Sequence, residues 1–124
     1  MGTILRGLGS DIIEVERIEA AIAKHGAPFL DRLFTLAEQE YCNRFRDSAR
    51  HYAGRFAAKE AIVKALGTGF REGIGWLDIE ILNDAAGKPQ VKLSPSAEAI
   101  FGSRKIELSI SHCKAYAMAV AIQL

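Results

Sequence analysis

The run from Ala49 to Leu66 constrains this chain more than any other segment. It is rich in alanine, holds no proline and is followed by Gly67, the residue best suited to the left-handed turn that closes a helix. The spacing predicts one long helix. At about 100° per residue, Tyr52, Phe56, Val63 and Leu66 project along one face, which something broad must cover. Lys59 falls in the middle of that apolar stripe and Glu60 on its flank. Burying an unpaired charge costs several kcal/mol, so both side chains need partners or water. One reading lets Lys59 snorkel to solvent and pairs Glu60 with Lys64 one turn on, an exposed pair worth about 0.2–0.5 kcal/mol. That is too little to offset a buried placement, so Glu60 is also a functional candidate.

Shorter elements flank this helix. Ile4 to Gly9 reads as a strand, and Ile12 to Lys24 as a helix with Ile12, Val15, Ile18, Ala21 and Ile22 at helical spacing, stopped by Gly26 and Pro28. Asp11 then sits at the strand-to-helix turn, where Asp11 and Glu14 form a capping-box pattern. A carboxylate from that turn could instead meet Glu60 across the fold. Two carboxylates on separate elements, with positions left for phosphate oxygens, make a Mg²⁺-type site. Phe29 to Phe34 reads as a short helix, and Thr35 with Glu38 caps another that runs to about Phe45. Trp76 to Leu82 and Gln90 to Leu93 read as a hairpin around Asn83 to Pro89, and Ser94-Pro95 opens a helix to about Phe101. Ile106 to Ser111 and Tyr116 to Leu124 read as a closing pair of strands. The class is α+β: a mainly antiparallel sheet with a long central helix and shorter helices packed against it.

The 124 residues, 49% hydrophobic and 25% charged, correspond to one domain, 1–124, and exclude intrinsic disorder. The longest nearly apolar stretch, Ala115 to Ile122, is far short of the ~20 residues that a membrane span requires, and no secretory leader opens the chain. Sixteen basic residues against fifteen acidic leave a net charge of +1, so gross electrostatics do not call for nucleic acid. An RNA-binding surface would also want exposed aromatics between its basic residues, whereas Tyr52 and Phe56 belong to the core face. Arg44, Arg46, Arg50, Arg55, Lys59 and Lys64 form a local basic cluster, read as a solvated face or an anion-binding one. Cys42 and Cys113 match no metal or redox spacing and read as reduced thiols. Gly7-Leu8-Gly9 lacks the third glycine of a dinucleotide fingerprint, and Gly87-Lys88-Pro89 is a hairpin turn rather than a P-loop. Ser111-His112-Cys113 lies between strands, where adjacent side chains point apart. His25 and His51 read as solvated helix residues.

Taken together, Gly9-Ser10-Asp11-Ile12 with Arg17, Arg55-Phe56-Ala57-Ala58-Lys59-Glu60-Ala61 and Lys64-Ala65-Leu66-Gly67-Thr68-Gly69 resemble the short, bacterial type of 4′-phosphopantetheinyl transferase, the holo-[acyl-carrier-protein] synthase family. Asp78 to Ile81, Asn83-Asp84, Gly87 to Pro89 and Leu108 to His112 fit the same pattern, nearly end to end. The resemblance implies that family's fold and its reaction, transfer of 4′-phosphopantetheine from coenzyme A to a serine of apo acyl carrier protein with release of adenosine 3′,5′-bisphosphate, in support of fatty acid biosynthesis. It also implies that Asp11 and Glu60 ligate Mg²⁺ and that Lys64 reaches the pyrophosphate. Glu60 or a water on the metal would take the serine proton. Arg55 and His112 would contact the nucleotide end, with Gly87, Lys88 and Pro89 forming a turn near the adenine. Arg17, with Lys24 and Phe29, would dock the acidic helix of the carrier protein. The resemblance further implies a cytoplasmic homotrimer with active sites between subunits, which suits the apolar strand Ala115 to Ile122. It departs at Cys113, where a threonine is common and a thiol is a poorer donor.

Overall fold

The computed structural model describes residues 4–70 and 73–124. Strand β1 (Gly7–Glu14) starts later and runs further than the apolar spacing predicts, passing directly into helix α1 (Val15–His25). Asp11 therefore lies on a strand and caps nothing. The residue before α1 is Glu14, whose side chain makes no capping hydrogen bond, so the Asp11–Glu14 capping box is overturned. Ile12 and Ile13 explain the difference: β-branched residues favour the ladder. Each residue from Gly7 to Glu14 faces one of strand β5 (Tyr116–Gln123), in antiparallel register.

Helices α2 (Ala27–Leu33) and α3 (Leu36–Asn43) follow. The Thr35 hydroxyl accepts from the Glu38 N–H at 3.2 Å, and the Glu38 carboxylate accepts from the Thr35 N–H at 2.9 Å, as the sequence predicts. Helix α4 (Ser48–Leu66) closes at Gly67 with φ 83°, a conformation suited to glycine. Its buried residues include Tyr52, Arg55, Ala58, Ala61, Ile62 and Ala65, which point in several directions around the axis, so α4 is a central helix rather than an amphipathic one. The antiparallel sheet β1-β5-β4, with β4 spanning Ile106–His112, lies along one side, and α1, α3 and β2 meet the others. The hairpin pairs β2 (Ile79–Asn83) with β3 (Pro89–Leu93), after a single 3₁₀ turn at Trp76–Asp78 where a strand was expected. Helix α5 (Pro95–Phe101) is capped by Ser94, whose hydroxyl accepts from the Ala97 N–H at 3.1 Å. No helix among the described residues is long and apolar enough to cross a membrane.

Lys59 does not snorkel. Its side chain is fully buried, and the ammonium donates to the Glu38 carboxylate at 2.7 Å, the Leu33 carbonyl at 2.7 Å and the Trp76 carbonyl at 3.0 Å. Those three acceptors use all three of its protons. The second Glu38 oxygen accepts from the Ile81 N–H at 2.9 Å. One ion pair thus ties α2, α3, the 3₁₀ turn and β2 to the middle of α4. Burial pushes the Lys59 ammonium below its ordinary value, and the Glu38 charge and hydrogen bond oppose that shift.

Candidate active site

Two glycines bring β1 against α4. A Cβ at Gly9 would stand 2.1 Å from the Ala61 carbonyl oxygen, and one at Gly7 would stand 1.9 Å from that of Ala65. Only hydrogen fits there, which explains Gly7-Leu8-Gly9 as close strand–helix packing. Asp11 follows two residues on and faces the same helix, since side chains alternate along a strand. Lys64 donates to the Asp11 carboxylate at 3.2 Å and to the Ser10 carbonyl at 2.9 Å. The expected exposed pair between Glu60 and Lys64 is thus replaced by a pair between Lys64 and Asp11, because β1 lies closer to α4 than helix spacing alone can reveal.

Glu60 is half-buried one turn before Lys64. Burial and then the Asp11 charge push its carboxyl above the ordinary value of 4.5, and Lys64 offsets them only in part. Two carboxylates therefore share one lysine, and the cluster carries surplus negative charge. Among the described residues no three His, Cys, Asp or Glu side chains gather as a metal cage. A pair of carboxylates on separate elements is a donor set for a hard cation that keeps waters and takes substrate phosphate oxygens. Asp11 and Glu60 fit that chemistry.

A second cluster surrounds the first half of α4. Arg55 is only 4% exposed, so it is not part of a solvated basic face, and neither is Lys59. The Arg55 guanidinium lies 4.2 Å from the Tyr41 ring centroid and donates to the Asn83 side-chain oxygen. The Asn83 amide in turn donates to the Gly87 carbonyl at 2.8 Å. The Asp84 carboxylate accepts from the Ala86 and Lys88 N–H groups at 2.9 Å each, and Gly87 has φ 88°. Gly87 to Pro89 is thus a turn pinned through Asn83 to Arg55. The buried Nε of Arg55 has no hydrogen-bond partner, an unfilled donor that suits an acceptor brought by a ligand.

His112, at the end of β4, is exposed above Gly54, where an added Cβ would lie 3.9 Å from its ring. His51 is not the solvated residue that helix position implies. It stacks on Phe45 with ring centroids 3.7 Å apart and meets His112 edge-on at 5.1 Å. Cys113 is exposed, and hydrogen bonds to its sulfur from the backbone of Tyr116 and of Ala115 hold the thiol below the ordinary value of 9.0. Cys42 is buried and free.

These two clusters do not meet within one chain. Glu60 and Lys64 project roughly 130° around α4 from His51 and Gly54, and lie roughly 14 Å further along its axis, at 100° and 1.5 Å per residue. Arg17 stands apart from both, exposed on α1 with Glu14 at 3.8 Å. Lys24 and Phe29 line a groove with His25, Pro28 and Arg32 where α1 turns into α2. Glu38, Tyr41, His51 and Asn83 carry roles that spacing did not disclose. Lys59 signalled an unmet partner, but Glu38, read only as a capping residue, did not, and nothing in the local sequence signalled the contacts of Asn83.

The model of the family described as the 4′-phosphopantetheinyl transferase superfamily matches residues 7–121. The holo-[acyl-carrier-protein] synthase of Protochlamydia amoebophila is 60% identical over 94% of this chain and 95% of its own. A crystal structure of the holo-(acyl-carrier-protein) synthase of Bacillus anthracis, in complex with CoA (3′,5′-ADP), superposes with a TM-score of 0.83 at 37% identity, over 98% of this chain and 97% of that one. The crystal structure of the Neisseria meningitidis holo-[acyl-carrier-protein] synthase gives 0.88 at 31% identity, over 98% and 99%. With its α+β architecture matched over nearly its whole length, the chain belongs to the 4′-phosphopantetheinyl transferase superfamily.

Proposed function

We propose that this chain, acting as one domain over residues 1–124, is a holo-[acyl-carrier-protein] synthase. It transfers 4′-phosphopantetheine from coenzyme A to a serine of apo acyl carrier protein and releases adenosine 3′,5′-bisphosphate. The observation that carries the reading is the convergence of Asp11, Glu60 and Lys64 at the contact between β1 and α4. Phosphoryl transfer asks for in-line positioning and neutralised charge more than for covalent help. Lys64, half-exposed, binds and orients the pyrophosphate. Asp11 and Glu60 would hold a Mg²⁺ ion, which when bound supplies further neutralisation of the same group. Glu60, or a water beside it, takes the proton of the incoming serine.

The nucleotide end belongs with the second cluster. His112 faces the 3′-phosphate, Arg55 contributes its charge and unfilled Nε, and Gly87, Lys88 and Pro89 form the turn beside the adenine. Because the two clusters lie on different sides of α4, one bound coenzyme A takes them from two neighbouring chains. A homotrimer supplies that neighbour. The outer face of β1 and β5 supports it: Leu8, Ile12, Tyr116 and Met118 are exposed there, with Ile12 opposite Met118 in the ladder. A contiguous apolar sheet face of that kind marks an interface. Arg17, Lys24 and Phe29 receive the acidic helix of the carrier protein, so a nearly neutral protein still steers an acidic partner. The protein works in the cytoplasm, serving fatty acid biosynthesis through that carrier.

The test is intact mass of an apo acyl carrier protein after incubation with this protein, coenzyme A and Mg²⁺. A gain of one phosphopantetheinyl group, lost with EDTA, is expected. No gain with several carrier proteins, despite tight coenzyme A binding, overturns the reading in favour of a binding module.

A further inference from the structure

His51 has no part in the reaction as described so far, yet among the described residues its ring is the aromatic one that packs against His112. Its ring lies flat on Phe45, with an interplanar angle of 15° at 3.7 Å, and turns its edge toward His112 at 71° and 5.1 Å. Tyr41 closes the other side at 6.1 Å, edge-on, and the same Tyr41 ring carries the Arg55 guanidinium. A purely apolar wedge would fill this space equally well, since Phe45 and Tyr41 already supply aromatic faces. What the imidazole adds is two ring nitrogens and a second proton site beside the first.

We propose that His51 is a positioning residue for His112, and that the two imidazoles act as a coupled pair that takes up protons when the 3′-phosphate of coenzyme A binds. The inference rests on the reading that His112 faces that phosphate. The groups facing the pair are Arg50 and Arg55 on α4, Asp47 just before it, Tyr41 on α3, Cys113 and Tyr116 beside His112 in one surface pocket, and each histidine to the other. In the free protein burial is the first cause that lowers the His51 ring below its ordinary 6.5, followed by the His112 charge and the arginines, with Asp47 opposing. His112, although exposed on the surface, is lowered first by the partial desolvation of its ring, then by Arg50, again against Asp47. Both rings accordingly favour the neutral form more than an ordinary imidazole does. A phosphate monoester brings a charge of about −1.5 to −2. Placed against His112 it favours the protonated ring. Because its negative charge exceeds the single positive charge that His112 gains, His51, held at 5.1 Å from that ring, shares in the uptake despite the repulsion between the two imidazoliums. Protons are thus bound with the phosphate and released with the bisphosphate product.

The experiment is calorimetry of ligand binding at pH 7 in buffers of different ionisation enthalpy, which counts protons taken up. Coenzyme A and 3′-dephospho-coenzyme A are compared on the wild-type protein, His51→Phe and His112→Ala. His51→Phe keeps the stack on Phe45. The wild type is expected to take up more protons with coenzyme A than with the dephospho form, and His51→Phe to cut that excess. An excess left unchanged in His51→Phe overturns the inference and leaves the placement of His112 standing. No discrimination between the two ligands, or discrimination untouched in His112→Ala, removes the placement itself and the inference with it. A second readout needs no variant. The ring proton signals of His51 and His112 are titrated with adenosine 3′,5′-bisphosphate and with adenosine 5′-phosphate, using exposed His25 as internal control. Both midpoints should rise with the bisphosphate alone. A rise at His112 without one at His51 refutes the coupled pair.

Discussion

Replacing Gly9 with alanine tests the packing that brings the Asp11 and Glu60 carboxylates together. The new Cβ would stand 2.1 Å from the Ala61 carbonyl oxygen, 2.7 Å from the Ala65 nitrogen and 2.9 Å from the Lys64 Cβ. Two of these three atoms belong to the α4 backbone, so no flexible side chain can relieve the clash. Ordinary contact begins at 3.4 Å, and β1 must therefore retreat by about 1.3 Å. Overpacking typically costs about 1–3 kcal/mol, and a backbone clash belongs at the upper end. At about 4 °C per kcal/mol, the midpoint of thermal unfolding falls by roughly 12 °C at fixed protein concentration. Asp11 moves with the strand, so its 3.2 Å contact with Lys64 passes out of hydrogen-bond range. A displacement near 1 Å in a positioned group can cost about a hundredfold in rate, which is the loss expected in kcat/KM. Adding Asp11→Glu to Gly9→Ala lengthens the side chain across the gap and should restore part of the activity and none of the stability. A Gly9→Ala protein within about 0.5 kcal/mol of wild type and with full turnover would refute the argument, because neither fold nor site would then need the close approach.

Further outcomes follow from neighbouring contacts. Lys59→Met leaves the buried Glu38 carboxylate without its cation and the Leu33 and Trp76 carbonyls without a donor, for an expected loss of about 3–5 kcal/mol in urea unfolding. Adding Glu38→Gln to it should cost less than the sum of the two single changes. Glu60→Gln should fold normally and lose metal-dependent transfer; full retained activity would remove Glu60 from the mechanism. Glu60 has a raised carboxyl in the fold, so the metal-free wild type loses stability as pH rises through the ordinary 4.5 and beyond. Glu60→Gln in EDTA should not show that loss. Arg17→Glu should raise KM for the carrier protein and leave kcat little changed, with a weaker dependence of rate on salt. Met118→Asp should break the proposed trimer into smaller species by sedimentation and lower turnover with it.

Where the sequence was legible, the signals were local. Thr35 with Glu38, Ser94 before Pro95, and Gly67 after the alanine-rich run each state their role within four residues, and the structure forms each as read. The hairpin around Asn83 to Pro89 was equally plain, because turn chemistry and alternation agree there. Asp11 was harder. Ile12, Val15 and Ile18 fit a helical period, and the same period hid that Ile12 and Ile13 are strand residues whose partners, Met118 and Ala117, lie more than a hundred positions away. The helix begins only at Val15, so a pattern true from Val15 onward was extended nearly one turn too far toward the N-terminus.

Lys59 shows the other kind of limit. Spacing located a charge on a buried face and demanded a partner, yet could not say which. Glu38 answers it across 21 residues, with its capping hydrogen bond and its ion pair made by the same carboxylate oxygen. A residue that satisfies a local rule offers no sign that it also meets a distant need. The same holds for the Gly7 and Gly9 pair, which on local grounds was a failed dinucleotide fingerprint. Only the path of α4 beneath β1 turns those glycines into the reason that Asp11 can reach Lys64 and stand close enough to Glu60 to repel it. The site is therefore built from contacts between elements, and the long helix is what makes them possible. Its small residues, Ala57, Ala58, Ala61 and Ala65, are fully or nearly fully buried and let a strand pack at backbone distance, so the composition that made α4 easy to recognise also places the two carboxylates.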